Sequence, residues 1–347
     1  IDLYAVQNTS TDLPNVLIVL DNTANWNDMF SKEMAAIGDT LAALPSNNFN
    51  VGLMLFTETG GDNNNQDGGY VRAAIRKLDD DYKGKLRALV TSFNSIADKS
   101  SGGKAGKTMA EAWYYFASQA PASGNYKAKA DYTGNVTGSS QSKAIYALPG
   151  NALASISATR YNGPSAIGCA RNYIIYVSNG AAQDNASDTS TASAALTAAY
   201  QSQSMTRPAD ITGLSPSGSQ SNMADEWARF MKESSLGITT FTLDIDPKTT
   251  NQGQGWSALL SSMATRSGGQ YFNIDSSVNN GARIADALSR IFNQIQAADS
   301  VFTSASLPVS MSSRGTYANQ VFLGMFRPDR DARPRWRGNV KQYRFDY

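Results

Sequence analysis

Histidine is absent from this chain of 347 residues. With it go the commonest general base, the Ser-His and Cys-His nucleophile pairs and the usual zinc ligand. Cysteine is nearly absent: Cys169 stands alone. No disulfide can close within the chain, no cysteine spacing suggests zinc or an iron–sulfur cluster, and the thiol reads first as a small buried hydrophobe. An excess of charge of one sign is missing too. The 30 basic and 29 acidic residues leave a formal net charge of +1, which supplies no global field to draw nucleic acid or an anionic membrane. Any partner must be recognised locally. No apolar run reaches the roughly 18 residues that suggest a membrane span. The opening "IDLYAVQNTS" lacks both an initial Met and the charged-then-apolar order of a signal segment, as expected of a processed secreted protein or an excised piece.

A hydrophobic content of 41% is ample for a sizeable core, so the expectation is one large domain with additions. Abundant Ser, Thr, Asn, Gly and Tyr beside only 17% charged residues fits a secreted bacterial surface protein better than a cytosolic enzyme.

"NVLIVL" (15–20) is a short, continuous, β-branched run of the kind that makes a strand buried on both faces. "DMFSKEMAAIGDTLAAL" (28–44) places Met29, Phe30, Met34, Ile37, Leu41 and Leu44 at helical spacing and stops before Pro45, and "NVGLMLFTE" (50–58) is again a buried strand. Together they predict a βαβ unit with parallel strands. "GYVRAAIRKL" (69–78) reads as a strand at a sheet edge. Helices follow at 79–97, opened by acidic residues, and at 106–120 after a Gly-rich loop. Residues 121–171 are polar and too long for a connector, which predicts a surface insertion. Beyond it come a buried strand at 171–180, helical material within 186–235, a strand at 237–246, a helix at 255–267, a short strand at 269–275 and a long amphipathic helix at 279–298. This alternation predicts an α/β fold, a doubly wound, mostly parallel sheet over residues 12–299. Residues 1–11 form an N-terminal extension or added strand. Residues 300–347 turn to period-two apolar placement, a β-rich extension.

In such sheets ligands bind at the carboxyl ends of the strands, near the point where strand order reverses. Three loops place oxygen-bearing side chains there. Asp21, Thr23 and Asn25 follow the first strand, Thr108 sits in "SGGKAGKT", and Asn179 follows "NYIIYVS". Hard cations such as Mg²⁺ or Ca²⁺ take oxygen ligands of this kind, but affinity falls with ligand charge, and Asp21 alone of the five carries one. The bland alternative is that Asp21, Thr23 and Asn25 cap the next helix and hydrogen-bond their own loop. Asp184, in "NGAAQDN", is an acidic residue that could restore charge to the site.

Other motifs fall short. "TGGDNNNQDGGY" (59–70) starts like a calcium loop, but Ala74 occupies the position that needs a bidentate glutamate. "GGKAGKT" (102–108) is one residue short of a phosphate loop and follows no strand. The arginine-rich block "RPDRDARPRWRGN" (327–339) is interrupted by Asp and Pro, and paired surface arginines explain it better than nucleic acid does. No Gly-x-Ser-x-Gly nucleophile motif is present.

The three oxygen-bearing loops resemble the metal-ion-dependent adhesion site of the von Willebrand factor A domain, built from an Asp-x-Ser-x-Ser loop, a Thr and a later Asp. Asp21 and Thr108 match that pattern, Thr23 replaces the first Ser conservatively, Asn25 stands at the second Ser and Asn179 at the second Asp. The resemblance implies a degenerate site, weak for Mg²⁺ or Ca²⁺, at which an ion would offer a coordination position to an acidic group of a partner. "LPNVLIVLDNTANW", "CARNYIIYVSNGAAQDN" and above all "QVFLGMFRPDRDARPRWRGNVKQYRF" are similar to the N-terminal region of the type IV pilus tip adhesin and biogenesis family, the PilY/PilC group. In that family the last stretch leads toward a C-terminal β-propeller.

Membership would imply a secreted protein that passes through the periplasm to the pilus tip, docks on minor pilins, aids pilus assembly and attaches to a host or abiotic surface ligand; the lack of histidine and of a nucleophile motif adds the expectation that it is not an enzyme. Two alternatives are a metal-switched sensing or ligand-binding A domain and, more remotely, a metal-assisted hydrolase. The latter needs several carboxylates and a base.

Overall fold

The computed structural model describes residues 13–23, 28–56, 68–93, 100, 103–123, 152–153, 158–164, 170–178, 182–212, 222–245, 247, 253–274, 280–299, 302–304, 320–327 and 337–344. Two compact units divide the chain, Ile1–Ala287 and Leu288–Tyr347.

In the first unit the described strands are β1 (Asn15–Leu20), β2 (Asn50–Phe56), β3 (Gly69–Lys77), β4 (Asn172–Ser178), β5 (Thr239–Ile245) and β6 (Tyr271–Ile274). They form one six-stranded sheet in the order β3-β2-β1-β4-β5-β6. All neighbours run parallel except β2 and β3. Every residue of β1 and β4 is buried, because helices cover both faces of a parallel sheet; this explains their uninterrupted apolar runs. The fold class and the edge position of β3 are as the sequence predicts. β3 pairs with β2 through an irregular register around Val51, Leu53 and Met54. Gly52 lies at this irregularity, where an added Cβ would come within 2.7 Å of the Ile75 backbone nitrogen.

The described helices are α1 (Asp28–Ala43), α2 (Asp80–Thr91), α3 (Ala105–Phe116), α4 (Ala186–Ser202), α5 (Ala224–Glu233), α6 (Gly253–Arg266) and α7 (Asn280–Asp299). Asp79 caps α2 by accepting from Tyr82 N at 2.8 Å, which satisfies one of the amides left over at a helix start. The helix ends at Thr91, short of the predicted 97. One face of the sheet packs against α3, α4, α5 and α6 through aromatic side chains. Trp113 meets Phe230 edge-on at 4.7 Å, and Trp227 Nε1 donates to Ala192 O at 3.2 Å. Pairing its N–H inside the protein lets Trp227 contribute its large apolar surface to the core.

At the amino ends of the strands a ladder of asparagines crosses the sheet. Asn50 Nδ2 donates to Asn15 Oδ1 at 3.0 Å, Asn15 Nδ2 to Asn172 Oδ1 at 3.0 Å, and Asn172 Nδ2 to Leu236 O at 3.0 Å. Each amide is the first residue of its strand, so the ladder fixes the mutual register of β2, β1 and β4.

Parts of the 121–171 stretch are described, and they reach the core: Ala152, Leu153 and Tyr161 are buried. Glu111 of α3 holds two of these parts in place. It accepts from Ser123 N at 2.8 Å and Ser123 Oγ at 2.9 Å, and the Tyr161 hydroxyl donates to it.

In the second unit β7 (Phe302–Ser304), β8 (Gln320–Arg327) and β9 (Arg337–Arg344) make an antiparallel sheet in that order. The tail is β-rich, as its alternation predicts. The unit begins at Leu288, within α7.

Candidate functional site

Strand order reverses between β1 and β4: the chain runs outward from β1 through β2 to β3, then returns to β4 on the other side of β1. Their carboxyl ends carry Asp21, just past β1, and Ser178, the last residue of β4. Asp21 N donates to Val177 O at 2.9 Å, extending the ladder one residue and aligning the two side chains. Asp21 Oδ2 then accepts from Ser178 Oγ at 2.7 Å. Its Oδ1 accepts from Thr23 N at 3.0 Å and Thr23 Oγ1 at 2.6 Å.

Asp21, Asn22 and Thr23 are all buried. Asn22 spans to the end of β2, accepting from Phe56 N at 2.8 Å and donating to Phe56 O at 3.3 Å. Its carbonyl accepts from Ser100 N at 2.7 Å. The loop is therefore stitched to β2, to β4 and to residue 100, and the partners of Asp21 lie in its own loop and on β4.

Burial raises the Asp21 carboxyl above its usual range, and the Thr23 and Ser178 hydrogen bonds pull it partway back. Glu33 on α1 is also fully buried. Burial first, and the charge of Asp21 second, push its carboxyl well above the ordinary value. The Tyr176 hydroxyl is held far up for the same first reason, with Asp21 and Asp184 adding to it.

Thr108 lies in the first turn of α3, fully buried. It stands over the start of β3, where a Cβ on Gly69 would come within 2.9 Å of Thr108 Cγ2. Gly69 pairs with Phe56 at the carboxyl end of β2, so Thr108 occupies the same edge of the sheet as Asp21. Its Oγ1 has no hydrogen-bond partner among the described residues. Asn25 and Asn179 lie outside the described residues, as do Cys169, most of the 59–70 loop and residues 328–336.

Asp184 is engaged at the start of α3. Its Oδ2 accepts from Ala105 N at 2.9 Å and its Oδ1 from Gly106 N at 3.1 Å. The carboxylate thus sits on the amino terminus of α3, where the free amides and the helix dipole favour an anion. Burial nevertheless carries its carboxyl up to about 6.

Asp21, Thr23 and Thr108 would hold a hard divalent cation, with Asn25 and Asn179 completing the set by sequence. Their oxygen chemistry fits such an ion, and the unmet, buried Thr108 hydroxyl is the feature that asks for one. Their charge suits it poorly. Asp21 is the sole carboxylate of the set, and its oxygens are already engaged by hydroxyl and amide donors.

Sequence reasoning missed Ser178, Asn22 and Glu33. Ser178 had a signal, being the last side chain of a strand whose next residue was singled out. Glu33 had none, since a glutamate in an amphipathic helix ordinarily faces water.

The strand order and the antiparallel edge strand define a doubly wound, mostly parallel α/β domain, von Willebrand factor A-like in fold. No family model matches the sequence, and no curated protein sequence matches it. Among solved structures, proximal thread matrix protein 1 from the mussel byssus is similar at 11% identity and a TM-score of 0.41, over 85% of this chain and 50% of that one. BatB from Bacteroides thetaiotaomicron is similar at 13% identity and a TM-score of 0.40, over 82% and 98%. The pilus adhesin SpaC from Lactobacillus rhamnosus GG is similar at 10% identity and a TM-score of 0.44, over 92% and 34%. The chain thus spans about half the length of the byssus protein.

Proposed function

We propose that this chain is the adhesion module of a type IV pilus-tip protein, secreted through the periplasm, that docks on minor pilins, aids pilus assembly and attaches to surfaces. The observation that carries this reading is the site at the switch point. Asp21, gripped by Thr23 and Ser178, anchors a set of hydroxyls and amides suited to noncovalent binding. The resemblance of the closing stretch "QVFLGMFRPDRDARPRWRGNVKQYRF" to the pilus-tip group supplies the partner class. Function is argued from this site and that stretch, because the fold alone hosts many roles. In this reading the chain performs no chemistry, in keeping with a sequence that has no histidine and with Asp21 as the sole carboxylate of the candidate ion-binding set.

The test is retention of the purified chain on immobilised minor pilins, compared with a chain that starts at Thr11. Retention of the full chain is expected, and failure to bind any minor pilin would sink the reading. Weaker retention of the shortened chain would identify residues 1–10 as a docking strand of the kind an open sheet edge accepts. Equal retention would exclude that role for them.

A second reading, a metal-switched ligand-binding domain, is favoured by one observation, the buried and unmet hydroxyl of Thr108. A bound divalent ion would supply a Lewis-acidic position for an acidic group of a partner. In that case divalent ions bind tightly and the Thr108→Val variant loses them.

A further inference from the structure

Beside the Asp21 cluster, a buried ammonium ties two chain segments together. Lys104 immediately precedes α3, and its side chain is 1% exposed. Its Nζ donates to Gln183 O at 2.6 Å and lies 2.8 Å from Asp188 Oδ2. Lys107 Nζ stands 3.5 Å from the other Asp188 oxygen. The backbone joins the same segments, with Gln183 N donating to Gly103 O at 2.7 Å. Asp184 adds its contacts to Ala105 N and Gly106 N. Asp188 is itself fixed at the start of α4 by a reciprocal capping box with Asn185.

We propose that Lys104 is a built-in cation that straps residues 182–188 to the start of α3, so that this side of the site keeps its shape without a divalent ion. An ammonium leaves water only where a carboxylate and further acceptors replace its hydration, and here those acceptors belong to the segment that follows β4. The positive end of α3 draws Asp184 onto the same junction. An anion on a helix terminus and a cation on a carboxylate therefore lie side by side and hold one pair of segments. A divalent ion that organised these segments would have to win the carboxylates of Asp184 and Asp188 from partners they already have. The inference goes beyond the adhesive reading and stands without it, because its test uses the free protein.

The test is hydrogen–deuterium exchange on the whole chain, following the amides of Ala105, Gly106 and Gln183, with those of β4 as internal reference. In the unsubstituted protein these amides should exchange slowly, and equally so in EDTA and in Mg²⁺. Lys104→Met keeps the length and apolar stem but removes the charge, and should speed their exchange by about tenfold or more while β4 holds. Should that variant fail to fold because Asp188 loses its nearer cation, the pair Lys104→Met with Asp188→Asn removes both charges, keeps an acceptor for the α4 cap and should show the same local acceleration. Exchange unchanged in the folded variant, or amides of the unsubstituted protein protected only when Mg²⁺ is present, would overturn the proposal.

Discussion

Asp21 binds its own loop to the neighbouring strand: one oxygen accepts from Thr23 and the other from Ser178. Truncation to Ala leaves those buried donors without an acceptor, at a cost of about 1–3 kcal/mol. A lower urea midpoint for Asp21→Ala in metal-free buffer is the expected result, and an unchanged midpoint would mean the bonds contribute nothing. Thr108 gives the opposite expectation. Its hydroxyl is buried and has no partner among the described residues, so Thr108→Val, nearly isosteric, should leave the stability of the metal-free protein unchanged or raise it by about 1 kcal/mol. A fall of that size would show that the hydroxyl is engaged. At this scale the sequence was informative about residue type and silent about partners. Asp21 and Thr23 stand out as oxygen-bearing residues directly after a buried strand, and Thr108 as a hydroxyl where a Gly-rich loop enters a helix. Ser178 looked like the end of a strand, and the role of Asp184 depends on Ala105 and Gly106, far away in the chain.

Among the elements, α3 joins several parts of the first unit. Asp184 sits on its amino terminus, Thr108 faces the sheet edge from its first turn, and Glu111 holds Ser123 and Tyr161. The Asp184 carboxyl, raised to about 6 from an ordinary 3.8, makes the folded state bind a proton more tightly than the unfolded chain. The stability this contributes is fully present below about pH 4 and is lost as pH rises through about 6. Burial raises Asp21, Glu33 and Glu111 in the same direction, whereas Asp188 is lowered and works the opposite way. The urea midpoint should therefore be higher at pH 5 than at pH 7, and Asp184→Asn should flatten the difference; a higher midpoint at pH 7 would contradict this. The asparagine ladder makes a separate prediction. Asn15→Ala takes a partner from both Asn50 and Asn172 and should cost about 1–3 kcal/mol by thermal or urea unfolding. The strands and helices were legible from periodicity because buried parallel strands and amphipathic helices leave strong local patterns. The ladder was not, since an asparagine at a strand start looks like a turn residue. Nor were the buried pieces of the 121–171 stretch, whose polar composition hides Leu153 and Tyr161.

For the whole molecule, the α/β order of the first unit and the β-rich second unit follow from the change of period near residue 300, whereas the contact boundary inside α7 leaves no mark in a continuous helical pattern. The site at the switch point combines a single engaged carboxylate with loops joined by hydrogen bonds and by the Lys104–Asp188 pair. On the proposal made above, its shape is maintained by the protein's own groups, and a divalent ion finds little charge to hold it. The most direct test of this claim is calorimetric titration of the intact chain with Mg²⁺, Mn²⁺ and Ca²⁺. The prediction is no saturable heat in the micromolar range for any of the three. Saturable binding at micromolar affinity that disappears in Asp21→Ala would contradict it.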